Sequence, residues 1–568
     1  MLIGIDLGTT NSLAACFRNG KPELIVNRLG KKLTPSVVAI NEQSQVLIGE
    51  TAKEYGLLHP DRTARLFKRT MGTDQVYVLG EQSFRSEDLS ALILRSLKED
   101  AEVYLGEKVD EAIISVPAYF NDKQRRATRL AGELAGLKVS RIINEPTASA
   151  LAYGIGEKGD SECCMVLDLG GGTFDVTILD YFHNIIEVYA VAGDNHLGGE
   201  DFTDVLLQLF LKENGLDGKD LDLADFAQAY KIVERCKCSL ADGKDMQIKA
   251  TVNGKLYESI ISSEQYETEC ISLLERLRHP IERSLRDARI SLNEIDRIIM
   301  VGGGTKLPLV RHYIQQMTGI YSEYYIDPDT SIALGAAIAA AMKERNDEIN
   351  EIILTDVCPF TLGTEVVTGE GDFMDEFRYL PIIERNTVIP VSHTETVVTS
   401  KDNQSLVSIK VLQGESRIPS ANLLIGRLDI EVPPGPKGKE AIDITYTYDV
   451  DSLLEVKAKV ISTGEEKKIL IQDEGNKISE EEAQERLKRL EYLKQNPRDN
   501  EENEYALLKA NRVYELSDRK QREELERQLN LFEKAMDQGT RLEVNVQREK
   551  LLEVIDRIEN GSSSSLYS

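Results

Sequence analysis

The sequence predicts a multidomain chain: an α/β region carrying an internal duplication, then an antiparallel β region, then a short helical C-terminus. Three observations carry this. Strand-like apolar runs alternate with helical segments up to about residue 350, the mark of α/β architecture. A period-two pattern broken by turn residues occupies 357 to about 474. From 478 charges are dense, glycine is nearly absent and apolar residues recur at helical spacing.

In the first region, the apolar run 112–116 precedes a helical pattern over 123–135, and the run 297–301 precedes one over 307–317. In the second, Leu454, Val456, Ala458 and Val460 alternate with Glu455, Lys457 and Lys459. Val407, Ile409 and Val411 alternate with Ser408 and Lys410, so each strand has one dry face and one wet face. In the third, Leu487 and Leu490, then Leu525, Leu529 and Phe532, then Leu551, Leu552, Ile555 and Ile558 mark helices. Ser479 and Glu482 fit a capping box. Asn496-Pro497 and Gly539 divide this region into three or four helices, and the Gly561-Ser562-Ser563-Ser564 end reads as a flexible tail. Between the first two regions, Ile352-Ile353-Leu354-Thr355-Asp356 is apolar where a passive linker would be polar. It reads as an edge strand, or as a linker that docks in one state and is released in another.

Composition narrows the function. The chain of 568 residues has room for up to about four domains. Its 68 Lys and Arg against 96 Asp and Glu leave a net charge of −28, which excludes bulk nucleic-acid and anionic-membrane binding. The N-terminus shows neither a basic segment nor a cleavable apolar core, so no signal peptide is expected. The longest apolar stretch, 332–342, is too short to span a bilayer. Seven cysteines, an odd and sparse set, point to reduced thiols in a cytoplasm, and Cys236-x-Cys238 finds no second pair with which to make a metal site.

Two segments repeat one pattern. Ile3-Gly4-Ile5-Asp6-Leu7-Gly8-Thr9-Thr10-Asn11-Ser12 opens the chain, and Met165-Val166-Leu167-Asp168-Leu169-Gly170-Gly171-Gly172-Thr173-Phe174-Asp175 recurs in its middle. Each is an apolar strand ending in Asp-Leu-Gly, then small residues and Thr. Glycines let backbone N–H groups approach an anion closely, and with Thr hydroxyls they form an anion-binding concavity. An Asp at a strand end suits Mg²⁺ held through water. The spacing matches neither a P-loop nor a dinucleotide-binding fingerprint. Two such hairpins predict phosphates clamped between duplicated halves. A third glycine run, Val301-Gly302-Gly303-Gly304-Thr305-Lys306, reads as a nucleoside-contacting turn or an ordinary strand-to-helix turn.

The opening motif resembles that of the seventy-kilodalton heat-shock chaperones, the DnaK type. So do Val116-Pro117-Ala118-Tyr119-Phe120-Asn121-Asp122, Ile142-Ile143-Asn144-Glu145-Pro146-Thr147-Ala148 and the second Asp-Leu-Gly segment. The likeness continues through Gly198-Gly199-Glu200-Asp201-Phe202, Asp402-Asn403-Gln404-Ser405 and Val411-Leu412-Gln413-Gly414-Glu415. Within the family, the short lid, short first lobe and Thr355 in the linker resemble the specialised bacterial HscC branch.

The resemblance implies an actin-like α/β ATPase domain of two lobes with a duplicated ribonuclease-H-like fold (1–351), a linker (352–356), and an antiparallel β-sandwich that binds peptides (357–474). A short helical lid (475–560) and a tail (561–568) would follow. It implies ATP or ADP with Mg²⁺, and K⁺ as a further candidate. Asp6 and Asp168 would hold the metal, mostly through water. Lys68, Glu145, Asp168, Thr173 and Asp175 would be catalytic. Gly8, Thr9, Thr10, Asn11, Gly170, Gly171, Gly172, Gly198, Gly199, Glu200, Glu234, Lys237, Gly302, Gly303, Gly304 and Asp329 would bind nucleotide.

Thr364, Val366, Val367, Val397, Val398, Ser400, Val407 and Ile409 would line the peptide groove, although alternating Val and Ile are equally the pattern of a plain core. Pro117, Arg141, Asn144, Leu354 and Asp356 would couple the domains and meet a J-domain co-chaperone. A nucleotide exchange factor is a further expected partner, and a bacterial cytoplasmic monomer the expected form. Val367 and Ser400 stand where the family pairs Met with Ala over the peptide. Gly304, Lys306 and Ala241 depart from the usual nucleoside site. Two alternatives stay open: a small-molecule kinase of the actin-like superfamily, and a nucleotide-sensing binding protein with negligible turnover.

Overall fold

The structure, a computed structural model, describes residues 1–154, 162–182, 185–240, 244–322, 326–345, 352–368, 376–449, 453–471, 486, 498–517, 519–538 and 541–564.

The predicted duplication is visible in two sheets. In the first lobe the strands run in the order Lys138–Asn144, Glu111–Val116, Leu2–Asp6, Asn11–Arg18, Lys21–Ile25. In the second the order is Arg297–Val301, Glu162–Leu169, Phe174–Phe182, Ile185–Asp194. In each lobe the Asp-Leu-Gly strand is central, with a parallel strand on one side and an antiparallel hairpin on the other. Burial on both faces is why these strands read as continuous apolar runs.

The apolar stretch 332–342 lies within the buried helix Ser331–Lys343, between the lobes. It packs against the helix Glu145–Gly154 and the opening strand. Two glycines permit this closeness. A Cβ on Gly4 would lie 2.2 Å from Ala337 N, and one on Gly335 would lie 1.6 Å from Ala148 O.

The β region forms two four-stranded antiparallel sheets, one of Glu376–Ile383, Leu362–Thr368, Leu406–Gln413 and Leu423–Glu431. The other holds Val391–Val398, Ala441–Tyr448, Leu454–Val460 and Glu466–Leu470. Leu454, Val456, Ala458 and Val460 face the common core, as their alternation predicts. Tyr446 spans the sandwich and donates to Gly363 O at 2.9 Å.

The linker settles as the strand Ile353–Val357, parallel to Ile185–Asp194 and antiparallel to Val388–Ile389. The segment is therefore a strand of the second-lobe sheet but not its edge, because Val388–Ile389 of the β region pairs with its far end.

Three C-terminal helices are described: Arg498–Leu516, Arg519–Gln538 and Arg541–Ser564. They share a small core that includes Leu525, Phe532, Leu551 and Ile555. Helix Arg498–Leu516 lies on helix Glu50–Leu58 of the first lobe. There Arg512 Nε meets Glu54 at 2.8 Å, and Leu508 packs on the cluster of Leu47 and Tyr55. The last helix runs to Ser564, through the start of the expected tail; serine costs a helix little. Ser479, Glu482, Leu487, Leu490, Asn496, Pro497 and Gly539 lie outside the described residues.

Gly335→Val tests the central contact. A branched side chain cannot occupy space 1.6 Å from a carbonyl oxygen. The expected cost is about 1–3 kcal/mol or more, read as a lower first thermal unfolding midpoint of the full chain. An unchanged midpoint would mean that the helix Ser331–Lys343 shifts freely.

Candidate nucleotide site and its connections

A cavity of about 390 Å³ opens between the lobes. Asp6, Gly8, Thr9, Thr10, Asn11, Lys68, Glu145, Asp168, Gly170, Gly171 and Thr173 line its phosphate end. Gly199, Glu200, Glu234, Lys237, Gly302, Gly303, Gly304 and Asp329 line the rest. Gly172, Gly198 and Asp175 stand just behind this wall rather than on it.

The two Asp-Leu-Gly loops interlock. A Cβ on Gly171 would lie 1.7 Å from Thr10 Oγ1, and one on Gly198 would lie 2.4 Å from Gly171 C. Gly302 has φ +79°, and a Cβ there would lie 2.5 Å from Leu169 O. The third glycine run is thus folded against the second motif.

Four carboxylates, Asp6, Glu145, Asp168 and Asp175, are buried together with one ammonium, Lys68. Lys68 Nζ donates to Glu145 Oε1 at 2.8 Å. Ser115 donates to Asp6 at 3.1 Å, and the Tyr119 backbone N–H to Asp175 at 3.2 Å. Burial, then repulsion from Glu145, pushes Asp6 up to about 7 and Asp175 up to about 8. The same two causes hold Asp168 well above the carboxylate range, with Asp175 and Asp6 adding to them. Asp168 Oδ2, Asp175 Oδ2 and Thr10 Oγ1 are buried without a hydrogen-bond partner. Unsatisfied hard oxygens in such a cluster suit a divalent cation. Among the described residues no group of three or more His, Cys, Asp or Glu is placed to hold a metal directly.

At the other end, Lys237 donates to Gly199 O at 2.6 Å and Thr203 Oγ1 at 2.7 Å. Lys306 pairs with Asp327 at 2.9 Å and Asp329 at 2.6 Å. Glu234 reaches Lys53 across the cleft at 3.4 Å. Cys238, Leu240, Leu307 and Pro328 also line the cavity. The sequence reading missed these, and their only signal was adjacency to the motifs. Ala241 lies outside the described residues.

The linker seals a polar junction. Asp356 is buried and accepts from Asn144 Nδ2 at 2.9 Å and Thr147 Oγ1 at 3.2 Å. Arg125 holds Asn144 in turn, at 2.7 Å, and donates to the carbonyls of Ala118 and Phe120. Burial pushes the Asp356 carboxyl up. Arg141 lies on the neighbouring strand, opposite Ile113. Pro117 accepts from Phe120 N at 3.1 Å, starting the turn that carries Tyr119. Leu354 pairs with Ile186 and packs on the core of the second lobe. Thr355 Oγ1 is buried with no partner.

The sandwich rests on the lobes through Arg385, bidentate to Asp287 at 2.8 Å, and through the Tyr119 ring, tilted against Phe360 with centroids 4.4 Å apart. Val366, Val367, Val397, Ser400 and Val407 are half-buried, and Val398 is exposed. Thr364 and Ile409 are fully buried, lying two residues from half-buried Val366 and Val407 on the same strand faces.

Duplicated lobes closing on a phosphate cleft, with a sandwich and a helical lid docked on them, define a multidomain ATPase of the actin-like type. The chain belongs to the Hsp70 family: a family model described as Hsp70 protein matches residues 2–78 and 74–564. It is 40% identical over 494 residues to the chaperone protein DnaK of Thermosipho melanesiensis, covering 84% of this chain and 81% of that one. It is 39% identical over 505 residues to the chaperone protein DnaK of Thermotoga petrophila, covering 85% and 82%. This family membership goes against the small-molecule kinase reading.

Thr355→Val should strengthen linker docking by about 1–3 kcal/mol, because it removes an unsatisfied buried hydroxyl at constant shape. Asp356→Ala should weaken docking by a similar amount, since it leaves Asn144 and Thr147 without their acceptor. Protease sensitivity of residues 346–357 would report both, and shifts in the same direction would contradict the argument.

Proposed function

We propose that this chain is an ATP-dependent molecular chaperone: it binds and releases extended apolar segments of unfolded polypeptide, and ATP hydrolysis drives the cycle through the linker. The observation that carries this reading is the pair of interlocked Asp-Leu-Gly loops facing Lys68 and Glu145, in a cleft to which the sandwich is strapped by the linker strand.

In this reading Gly8, Thr9, Thr10, Asn11, Gly170, Gly171 and Gly172 hold phosphates through backbone N–H groups and hydroxyls. Gly198, Gly199, Glu200, Glu234, Lys237, Gly302, Gly303, Gly304 and Asp329 hold the rest of the nucleotide. Asp6 and Asp168 would hold Mg²⁺, mostly through water, and the ion would neutralise phosphate charge. K⁺ is a further candidate beside it. Lys68 brings its ammonium to the terminal phosphate. Glu145, fixed by that ammonium, orients the attacking water together with Asp175 and Thr173. Positioning and charge do the work, with little covalent chemistry.

The extended peptide is held by backbone hydrogen bonds and shallow apolar pockets around Val366, Val367, Val397, Val398, Ser400 and Val407, backed by Thr364 and Ile409. Pro117, Arg141, Asn144, Leu354 and Asp356 couple the domains and meet a J-domain co-chaperone. An exchange factor, a bacterial cytoplasmic setting and a monomeric form complete the proposal, with no nucleic-acid or membrane partner.

Single-turnover ATP hydrolysis with and without an unstructured apolar peptide tests it. Slow hydrolysis accelerated by peptide is expected. Phosphorylated sugar among the products would overturn the reading, and so would an ATP-binding chain that never hydrolyses. Thr173→Ala should bind ATP and hydrolyse it slowly; unchanged turnover would remove Thr173 from the site. Leu354→Asp should abolish peptide stimulation and keep basal hydrolysis, and surviving stimulation would refute a docking linker.

A further inference from the structure

Beside Lys68 lies a second cation that no role above uses. Arg69 belongs to the short helical turn Phe67–Thr70, entered through Leu66 at φ +59°. A branched, non-glycine residue in the left-handed region is strained, and such strain persists where the surroundings enforce a geometry. The turn sends Lys68 and Arg69 in different directions. Lys68 stays with Glu145 within the phosphate end. Arg69 crosses the cleft to the second lobe.

There its guanidinium makes three connections. Nη2 meets Asp201 Oδ2 at 2.7 Å, and Nη1 lies 3.5 Å from Oδ1. Nη2 also lies 3.5 Å from the carbonyl of Gly171. Nε abuts Gly172 so closely that a Cβ there would lie 2.7 Å from it, and Nε itself is buried without a partner. Asp201 is also the residue that accepts from Gly198 N at 2.7 Å, closing the turn at the start of helix Gly199–Glu213. One side chain therefore ties together three things: the segment bearing Lys68, the glycine loop 170–172 and the turn 198–201. The pair is only about one-fifth exposed on each side, so solvent screens it less than an ordinary surface pair. Arg65, from the same segment, makes a parallel but more exposed strap to Glu200 at 2.8 Å.

We propose that Arg69 is a positioning residue for ATP hydrolysis: it sets the distance between the Lys68 segment of one lobe and the glycine loop of the other. This rests on the ATPase reading above. Arg69 does not line the cavity, so it acts through the groups it holds and not by touching the nucleotide. Because Gly171 and Gly172 move when Arg69 lets go, hydrolysis should suffer more than binding. A misplacement on the order of 1 Å in such a clamp costs rate by up to about a hundredfold.

The test compares the full chain with Arg69→Met and Arg69→Lys, measuring single-turnover hydrolysis and equilibrium binding of ATP and ADP. Arg69→Met should slow hydrolysis roughly 10- to 100-fold, with nucleotide affinity changed no more than about threefold. Arg69→Lys should recover part of the rate, because it keeps the charge at Asp201 but not the planar fork. It also serves if the Met variant does not fold. Arg69 variants that hydrolyse at the wild-type rate, or lose affinity in proportion to rate, overturn this assignment alone. A wild-type chain that binds ATP without hydrolysing it overturns the ATPase reading and the assignment with it.

Discussion

The fold depends on a concentration of buried negative charge that its own groups offset only in part. Four buried carboxylates surround Lys68, and burial is the first cause of the upward shift of the three aspartates. Such a cluster is unfavourable unless hydrogen bonds, cations or protons offset it. The protein supplies one ammonium, one serine hydroxyl and one backbone N–H. The remaining deficit is what a bound cation would offset. The two lobes are shaped around this: duplicated sheets deliver an aspartate each from a central strand, and close-packed glycines let the loops interlock.

The same charges are mechanically joined to the sandwich. The backbone N–H of Tyr119 donates to Asp175, while its ring lies against Phe360 of the sandwich and its hydroxyl accepts from Arg283. The next turn, through Arg125 and Asn144, ends on Asp356 of the linker. A single stretch, 117–125, is thus contacted on one side by a carboxylate of the cleft and on the other by the sandwich, and it reaches the linker through Asn144. A ligand can bias such a junction only by its differential affinity for two arrangements of it, and the effect is then reciprocal.

Much of this was legible in the sequence where local chemistry is decisive. The duplicated Asp-Leu-Gly motif announced both strands and the cleft between them, because one such glycine turn is ordinary but two with the same start imply paired halves. Alternation over 454–460 fixed which faces are dry. Alternation could not tell that Ile409 is fully buried while Val407, on the same face, is half-buried, since both environments take the same residue. Lys68 and Glu145 were reached only through family resemblance; 77 positions separate them and neither has a local signature. The lid's ion pair, Arg512 with Glu54, spans 458 positions and had no signal at all. Cys238 and Pro328 entered the cavity wall through folding, not through motif.

The linker strand carries one further consequence. It covers the strand Ile185–Asp194 of the second-lobe sheet and is covered at its own far end by Val388–Ile389, with Phe182 and Ile185 exposed nearby. An uncovered strand edge is a template for another chain, and globular proteins shield such edges. Docked, the linker therefore acts as that strand's missing neighbour. Their pairing shields two backbones at once, the linker's and that of Ile185–Asp194, from templating another chain.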